Sequence, residues 1–338
     1  MLHQSSNEIF SQYAAPDLTK NSDTDEDYSF LSDSSDFADE EFPTIIESDP
    51  ILEKYCEIAT SGDLKNNQAL ITEIIESMKN DDIVLPSFGS IQDINGPLIH
   101  KNRLIIGDWL FNLSFGYRVP TEVFYQSFTL LDRVLSCYTI PQDQIQLFAT
   151  CSLWICTKIE LNARGSLDPL LRFCHNKFSA ADFTRVEQII LNHCDNYHHV
   201  TSLFYLRRFL KLLSLPDDVS FLASFFCELT LLYIDFSYYK PSLIAFLSIY
   251  LATQIEKHDC NAFQQILEIY HDDQIGPCAE NLVSAISHVL SHPDCGIYRK
   301  FSVKSPNGIK YSGKKLLSEV NAGAGLVQSL AFLNSTHL

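Results

Sequence analysis

The sequence contains little glycine and little proline, with 12 and 13 residues of these types among 338. Both residue types interrupt helices, so their scarcity excludes a chain built mainly from turns and irregular loops. Hydrophobic residues make up 46% of the chain, which is enough to bury two cores. Their long runs favour helices joined by short loops. We therefore predict an all-α globular protein with room for two domains.

Basic residues are also scarce: 24 Lys and Arg stand against 42 Asp and Glu, a formal net charge of -18. Residues 1–50 hold 13 acidic residues and one lysine, a balance of -12, so the remaining 288 residues carry -6. Binding to DNA or RNA requires concentrated Lys and Arg that displace counterions from phosphates. Neither part of the chain provides this, and no direct nucleic-acid partner is expected.

The ten cysteines include no CxxC motif, and most of them lie in apolar helical runs. Reduced cysteine behaves there as a small hydrophobic residue, which indicates a reducing, intracellular compartment. The first ten residues, MLHQSSNEIF, lack the charged and apolar regions of a secretory signal. No uncharged apolar run reaches the roughly 20 residues that span a bilayer. We expect no membrane segment, and the spacing of His and Cys residues predicts no metal site.

The chain divides by composition into a polar beginning and a long helical remainder. Residues 1–65 are rich in Ser, Asp, Glu and Asn and are predicted to form a disordered acidic tail. Residues 68–79, QALITEIIESMK, place Leu70, Ile74 and other apolar side chains on one stripe of an amphipathic helix. A nearly continuous helical pattern follows over residues 91–291. Its predicted interruptions are Pro120, Pro141, Gly165, Pro216, Pro241 and Gly276.

An internal repeat supports two domains of similar fold. CSLWICTKIE, residues 151–160, resembles LSIYLATQIE, residues 247–256, but Lys158 of the first copy is Gln254 in the second. A lysine near a helix C-terminus is favoured by the helix dipole alone. A purely capping role would suit both copies equally. The restriction of the lysine to the first copy therefore favours a role in binding.

Four segments in this order resemble the landmarks of a cyclin box: NRLIIGDWLF, YQSFTLLDRVLS, QIQLFATCSLWICTKIE and FSAADFTRVEQIIL. The five characteristic positions of that box are matched by Arg103, Asp132, Leu147, Lys158 and Glu187. The later segment ELTLLYIDFSYYKPSLIAFLSIYLAT resembles the second box of A/B-type mitotic cyclins. The resemblance covers residues 68–315, and its departures at several contact positions mark a divergent member.

The resemblance implies an all-α fold of two tandem five-helix cyclin-box domains, preceded by an amphipathic N-terminal helix and the acidic tail. The expected division is a tail at 1–65, an N-terminal helix and linker at 66–92, an N-terminal cyclin box at 93–198, a C-terminal cyclin box at 199–300 and a C-terminal tail at 301–338. Each box would bury its own helical core.

The resemblance implies a regulatory subunit that binds and activates a cyclin-dependent Ser/Thr kinase in cell-cycle control. Such a protein has no catalytic residues and no cofactor of its own, and it is expected in the nucleus, the cytoplasm or both. The alternative is a cyclin-fold scaffold or a transcription-associated cyclin that binds partners without activating a cell-division kinase. An in vitro phosphorylation assay separates these two hypotheses.

In the family, the counterparts of Lys158 and Glu187 lie at adjacent helix ends and hydrogen-bond the kinase backbone near its mobile αC helix. Ile159 would supply an apolar contact between these polar anchors. As alternatives, Glu187 is an ordinary outward-facing helix residue, and the stripe of residues 68–79 packs on the second box. The kinase-binding residues implied by the resemblance are Lys158, Ile159, Glu160, Glu187, Ile74 and Leu70.

A groove that docks Arg-x-Leu peptides of substrates or inhibitors is also implied by the resemblance, at Ile105, Trp109, Asn112 and Gln146. Asn112 replaces an acidic residue of the family, so we expect weak selection for the arginine of the peptide. Trp109 is equally compatible with an ordinary core position. Arg103 and Asp132 are predicted to form an internal ion pair between the first two helices of the box, rather than a contact with a partner.

Overall fold

The computed structural model describes residues 88–96, 99–116, 119–161, 167–194, 200–213, 215–258, 274–292 and 295–304. The predicted acidic tail, the predicted helix at 68–79 and its kinase-binding residues Leu70 and Ile74 lie outside these ranges. Most of the predicted C-terminal tail also lies outside them. The division of the chain at the predicted domain boundaries stays a prediction.

The described part of the chain consists of helices and contains no β-strand, which confirms the all-α prediction. The helices of the first half are α1 (Phe88–Asn95), α2 (Ile99–Gly116), α3 (Thr121–Cys137), α4 (Ile145–Leu161), α5 (Asp168–Phe173) and α6 (Ala180–His193). Those of the second half are α7 (Ser202–Leu213), α8 (Asp217–Leu229), α9 (Pro241–Ile255), α10 (Ile275–Ser291) and α11 (Gly296–Lys304). Within this part, no helix is long and apolar enough to cross a membrane.

Prolines mark the starts of several helices. Pro120 and Pro216 immediately precede α3 and α8, and Pro241 is the first residue of α9. Proline suits this place because the first amides of a helix have no acceptor within the helix. Gly276 was predicted to interrupt the helical pattern, but it is the second residue of α10. Gly165 lies outside the described residues.

A capping box begins α6, the helix that carries one of the predicted site residues. The Ser179 hydroxyl accepts a hydrogen bond from the Asp182 amide at 3.3 Å, and Asp182 Oδ2 accepts one from the Ser179 amide at 2.9 Å. The two residues thereby satisfy each other's unpaired amides at the helix start. The hydrogen bonds from Ser179 lower the pKa of the Asp182 carboxyl.

Each half has its own core of closely packed helices. In the first half α3 packs against α4, and aromatic rings of α2 and α3 fill the space beside them, with Phe111 and Phe124 centroids 4.5 Å apart. In the second half α9 packs against α7 and α8 and is buried along nearly its whole length. A helix that is apolar on all sides must be surrounded by others, and this explains the long hydrophobic runs of the sequence.

A buried arginine joins the two halves. Arg103 of α2 donates from Nε to Asp132 Oδ1 at 2.6 Å and from Nη2 to Asp132 Oδ2 at 3.1 Å. The same Nη2 donates to the Leu231 carbonyl oxygen of the second half at 3.0 Å. Burial raises the pKa of Asp132, and the charge of Arg103 opposes that rise. The predicted ion pair is therefore present, and it also connects the two halves.

Helix α11 of the second half packs against α2 of the first half. The Gly296 amide donates to Asp108 Oδ1 at 2.6 Å. A Cβ at Gly296 would lie 3.0 Å from the Phe111 side chain, so glycine permits this close approach. Lys300 of α11 forms an ion pair with the buried Glu228 of α8. The residues 301–304, which were predicted to begin a tail, belong to this helix.

Candidate functional site

Lys158 and Glu187 form an ion pair on the surface of the first half. Lys158 lies in the last turn of α4 and Glu187 in the middle of α6, and Nζ of the lysine contacts Oε1 of the glutamate. Their side chains are 32% and 26% exposed. Lys158 Nζ also lies 5.3 Å from the centroid of the Trp154 ring, a cation–π contact. The pair is thus held in place and remains open to solvent.

The buried faces of the two helices explain this placement. On α6, Phe183, Val186 and Ile190 are buried, so Glu187 points away from the core. On α4, the Thr157 hydroxyl is buried and donates to the Leu153 carbonyl oxygen at 2.8 Å. The neighbouring lysine therefore faces outward.

An exposed hydrophobic residue lies directly beside the pair. Ile159 is 44% exposed, and Leu191, one turn after Glu187 on α6, is 40% exposed. Among the residues whose burial is described, these two are the large hydrophobic side chains that face solvent. A single exposed hydrophobic residue is common in proteins, but two of them next to one ion pair resemble the anchors of a binding surface. Glu160 is only partly exposed.

The ion pair itself contributes little to folding. Ion pairs at the surface stabilise a protein by about 0 to 1 kcal/mol, because water screens the attraction and both side chains lose freedom. This partly exposed pair should contribute near the upper end of that range. Its geometry is nevertheless well suited to binding another backbone. A lysine has three N–H donors and a carboxylate has about four acceptor sites, so one mutual contact leaves others available.

The predicted groove residues have different environments. Trp109 is buried and its ring packs on Phe173, with the centroids 5.1 Å apart. This burial favours its alternative interpretation as a core residue. Asn112 donates from Nδ2 to the Asp108 carbonyl oxygen at 3.0 Å, while Ile105 is partly exposed. Gln146 is 5% exposed, and neither atom of its side-chain amide has a hydrogen-bond partner in the described structure.

A cavity of about 80 Å³ lies between the two halves. Asp132 is the one predicted site residue in its wall, which is otherwise formed by residues such as Tyr125, Thr201, Tyr233 and Ile244. The proposed surface at Lys158 is therefore separate from this cavity. The described part of the chain contains no group of three or more His, Cys, Asp or Glu residues placed to hold a metal ion.

Several contacts between the halves were not predicted. Arg207 of α7 pairs with Glu122 of α3, and Arg103 reaches the Leu231 carbonyl. No sequence motif marks the Glu122 pair, since its partners are 85 residues apart. Leu191 could have been found as an apolar residue on the same helical face as Glu187.

The fold defines a protein of two helical bundles in tandem, with a partly exposed ion pair on the first. The chain belongs to the cyclin family, as a divergent A/B-type member. Residues 73–198 match the model of the cyclin N-terminal domain, and residues 200–313 match that of the cyclin C-terminal domain.

Similar proteins include plant cyclins. Cyclin-B2-1 of Oryza sativa subsp. japonica is 25% identical over 247 residues, which cover 70% of this chain and 58% of that protein. Cyclin-A1-4 of the same rice is 28% identical over 191 residues, which cover 55% and 54%. Cyclin-B2-1 of Arabidopsis thaliana is 27% identical over 208 residues, which cover 61% and 48%. The chain thus spans about half the length of the curated relatives it matches.

The fold is similar to that of a chain in the crystal structure of the yeast RNA Pol II CTD kinase CTDK-1 complex. The TM-score is 0.54 at 15% identity, and the match covers 71% of this chain and 84% of that chain. This likeness concerns the fold.

Proposed function

We propose that this protein is the regulatory subunit of a cyclin-dependent Ser/Thr kinase, which it binds and activates in cell-cycle control, in the nucleus or the cytoplasm. The observation that carries the proposal is the solvent-accessible Lys158–Glu187 pair beside the exposed Ile159. The relatives named as A- and B-type cyclins, and a kinase complex of similar fold, support a kinase as partner.

The proposed mechanism is positional. Lys158 donates hydrogen bonds to carbonyl oxygens and Glu187 accepts them from amides of the kinase segment near its αC helix. Ile159 fills an apolar contact between them, from which water is excluded. With that segment fixed, the αC glutamate reaches the lysine that holds the ATP phosphates, and the activation loop opens. The cyclin contributes binding energy and no chemistry.

The test is a phosphorylation assay with a purified cyclin-dependent kinase and the full chain. Lys158→Ala combined with Glu187→Ala should reduce kinase activity to the level without cyclin. The helicity and Tm of this double variant should stay almost unchanged, because a partly exposed surface pair adds little stability. Normal activation by this double variant would show that the assigned surface is wrong.

A matched control is Glu122→Ala combined with Arg207→Ala. This pair has similar side-chain exposure, 28% and 40%, and its removal makes the same change in charge. It lies between α3 and α7, so activation should be kept. If the unmodified chain binds the kinase without raising its activity, the scaffold hypothesis replaces activation.

Peptide docking at the first box is a second proposed function, favoured by the buried Gln146 amide that lacks a hydrogen-bond partner. A peptide backbone would satisfy both its donor and its acceptor once the side chains that cover this amide move aside. A fluorescent Arg-x-Leu peptide should bind the unmodified chain and bind Gln146→Ala more weakly. Because Asn112 is neutral, replacing the peptide arginine should change affinity little. Equal binding by Gln146→Ala would reject the groove.

A further inference from the structure

Two cysteine thiols meet where α3 and α6 end. Cys137 is the last residue of α3, and Cys194 directly follows α6. Cys137 Sγ is 3.8 Å from the carbonyl oxygen of His193, the residue directly before Cys194, and each thiol affects the pKa of the other. Beside them, the rings of Tyr138 and His193 pack edge-on with centroids 5.0 Å apart. Side-chain packing therefore holds the two helix ends together.

The two thiols differ in access to solvent. Cys137 is exposed, whereas Cys194 is buried. Of the eight cysteines that the structure describes, Cys137 alone is exposed, and Cys295 is partly exposed. A dissolved oxidant can thus reach Cys137, and a second thiol lies next to the sulfur that it would attack. An accessible cysteine with a neighbouring resolving thiol is the usual arrangement of a redox-sensitive pair.

Access to solvent, rather than acidity, favours Cys137 as the first sulfur to react. Burial raises the pKa of Cys137 more than the hydrogen bond from Cys194 and the charge of Arg133 lower it. Burial raises the pKa of Cys194 to about 11, so this thiol keeps its proton at neutral pH. Only a thiolate attacks peroxide. Oxidation should therefore begin at Cys137 and accelerate as pH rises.

We propose that Cys137 and Cys194 are a redox modification site, at which hydrogen peroxide converts the two thiols into an intramolecular disulfide. The Cys137 thiol loses its proton and the thiolate attacks a peroxide oxygen. The O–O bond breaks, a sulfenic acid forms, and the hydroxide that leaves takes up that proton and becomes water. The Cys194 sulfur then attacks the Cys137 sulfur, the S–O bond breaks, and a second water leaves with the Cys194 proton. Two electrons pass from the two thiols to the peroxide. Both cysteines lie at helix ends, where the backbone can adjust to disulfide geometry.

The bond would constrain a helix that matters for the proposed kinase contact. It would close a loop between positions 137 and 194 and tie the end of α6 to α3. Glu187 lies in α6, about two turns before Cys194, which directly follows that helix. An effect of the disulfide on kinase activation rests on the proposed function, but formation of the disulfide does not. The disulfide and the proposed function can therefore be rejected independently of each other.

The experiment treats the folded full chain with one equivalent of hydrogen peroxide, blocks remaining thiols with N-ethylmaleimide and maps disulfides by mass spectrometry. Trypsin releases Cys194 in residues 186–207, a peptide without other cysteines, and Cys137 in residues 134–158, together with Cys151 and Cys156. The expected product is a cross-link of these two peptides, assigned to Cys137 by fragmentation. Dithiothreitol should reverse it, and the oxidised chain should melt about 5 °C higher.

Substitutions distinguish oxidation of Cys137 and Cys194 from oxidation of cysteines in general. Cys137→Ser and Cys194→Ser should each abolish the cross-link, whereas Cys151→Ala should keep it. Cys137→Ser replaces an exposed residue at a helix end and should fold; melting curves of both serine variants check this. The proposal is overturned if Cys137 is oxidised to sulfinic acid without a cross-link, if Cys194 pairs with Cys151 or Cys156, or if no disulfide forms.

Discussion

The ends of α4 and α9 carry nearly the same sequence but occupy different environments. Inside both helices a buried serine bonds back one turn: Ser152 to the Phe148 carbonyl at 2.9 Å and Ser248 to the Ile244 carbonyl at 2.7 Å. The difference begins at the last turn. Ile159 is 44% exposed, whereas its counterpart Ile255 is 4% exposed.

The backbone explains part of this difference. Helix α4 continues to residue 161, whereas α9 ends at residue 255 and the chain turns at Lys257, which has a left-handed φ of 53°. The second copy thus uses its isoleucine to close its own core. The first copy leaves the isoleucine at the surface, next to a lysine that the second copy lacks. Similar sequences serve stability in one place and, as we propose, recognition in the other.

The largest expected effect comes from removing the buried contacts of Arg103, which connect the two halves. Arg103→Met removes a buried cation bonded to Asp132 and to the Leu231 carbonyl. The Asp132 carboxylate then stays buried without its cation, which should lower the free energy of unfolding by about 3 to 5 kcal/mol. Urea unfolding measures this value. Adding Asp132→Leu should recover part of the loss, and a loss below about 1 kcal/mol would contradict the buried pair.

The next effect tests the second copy. Ile255→Ala should lower the free energy of unfolding by about 2 to 5 kcal/mol, because it creates a cavity in the core. Thermal melting and urea unfolding measure this change. Kinase activation per folded molecule should stay normal. A specific loss of activation without loss of stability would assign Ile255 to a binding surface instead.

The same substitution in the first copy should give the opposite result. Ile159→Ala should change the free energy of unfolding by no more than about 0.5 kcal/mol, as expected for a surface position. The concentration needed for half-maximal kinase activation should rise about tenfold, because an apolar anchor is lost. A titration of kinase activity with cyclin measures it. Unchanged activation would remove Ile159 from the proposed interface.

The smallest effect is expected from making the second copy resemble the first. Gln254→Lys should leave stability within about 0.5 kcal/mol, since this residue is only partly buried. Placed in the Lys158→Ala background, it should not restore kinase activation, because the neighbouring isoleucine is buried in this copy. The phosphorylation assay used above measures this. Restored activation would show that lysine alone makes the site.

Much of the fold could be predicted because helix signals are local. Proline at the starts of α3, α8 and α9 and the capping box of α6 act within one helical turn. In the candidate site, the internal repeat pointed to Lys158, and Glu187 was found only through the resemblance to a family. Contacts such as Glu122 with Arg207 could not be found in this way, since they join residues far apart in the chain.

The sequence by itself determined the helical class, the repeat and the lysine that distinguishes its first copy, because periodicity and residue identity are local properties. Only the tertiary structure decided which isoleucine is buried, that Arg103 also connects the two halves, and that Lys158 pairs with Glu187 at a partly exposed position. Burial depends on neighbours brought together from distant parts of the chain. The same Thr-x-Ile-Glu segment can therefore belong to a core or to a surface.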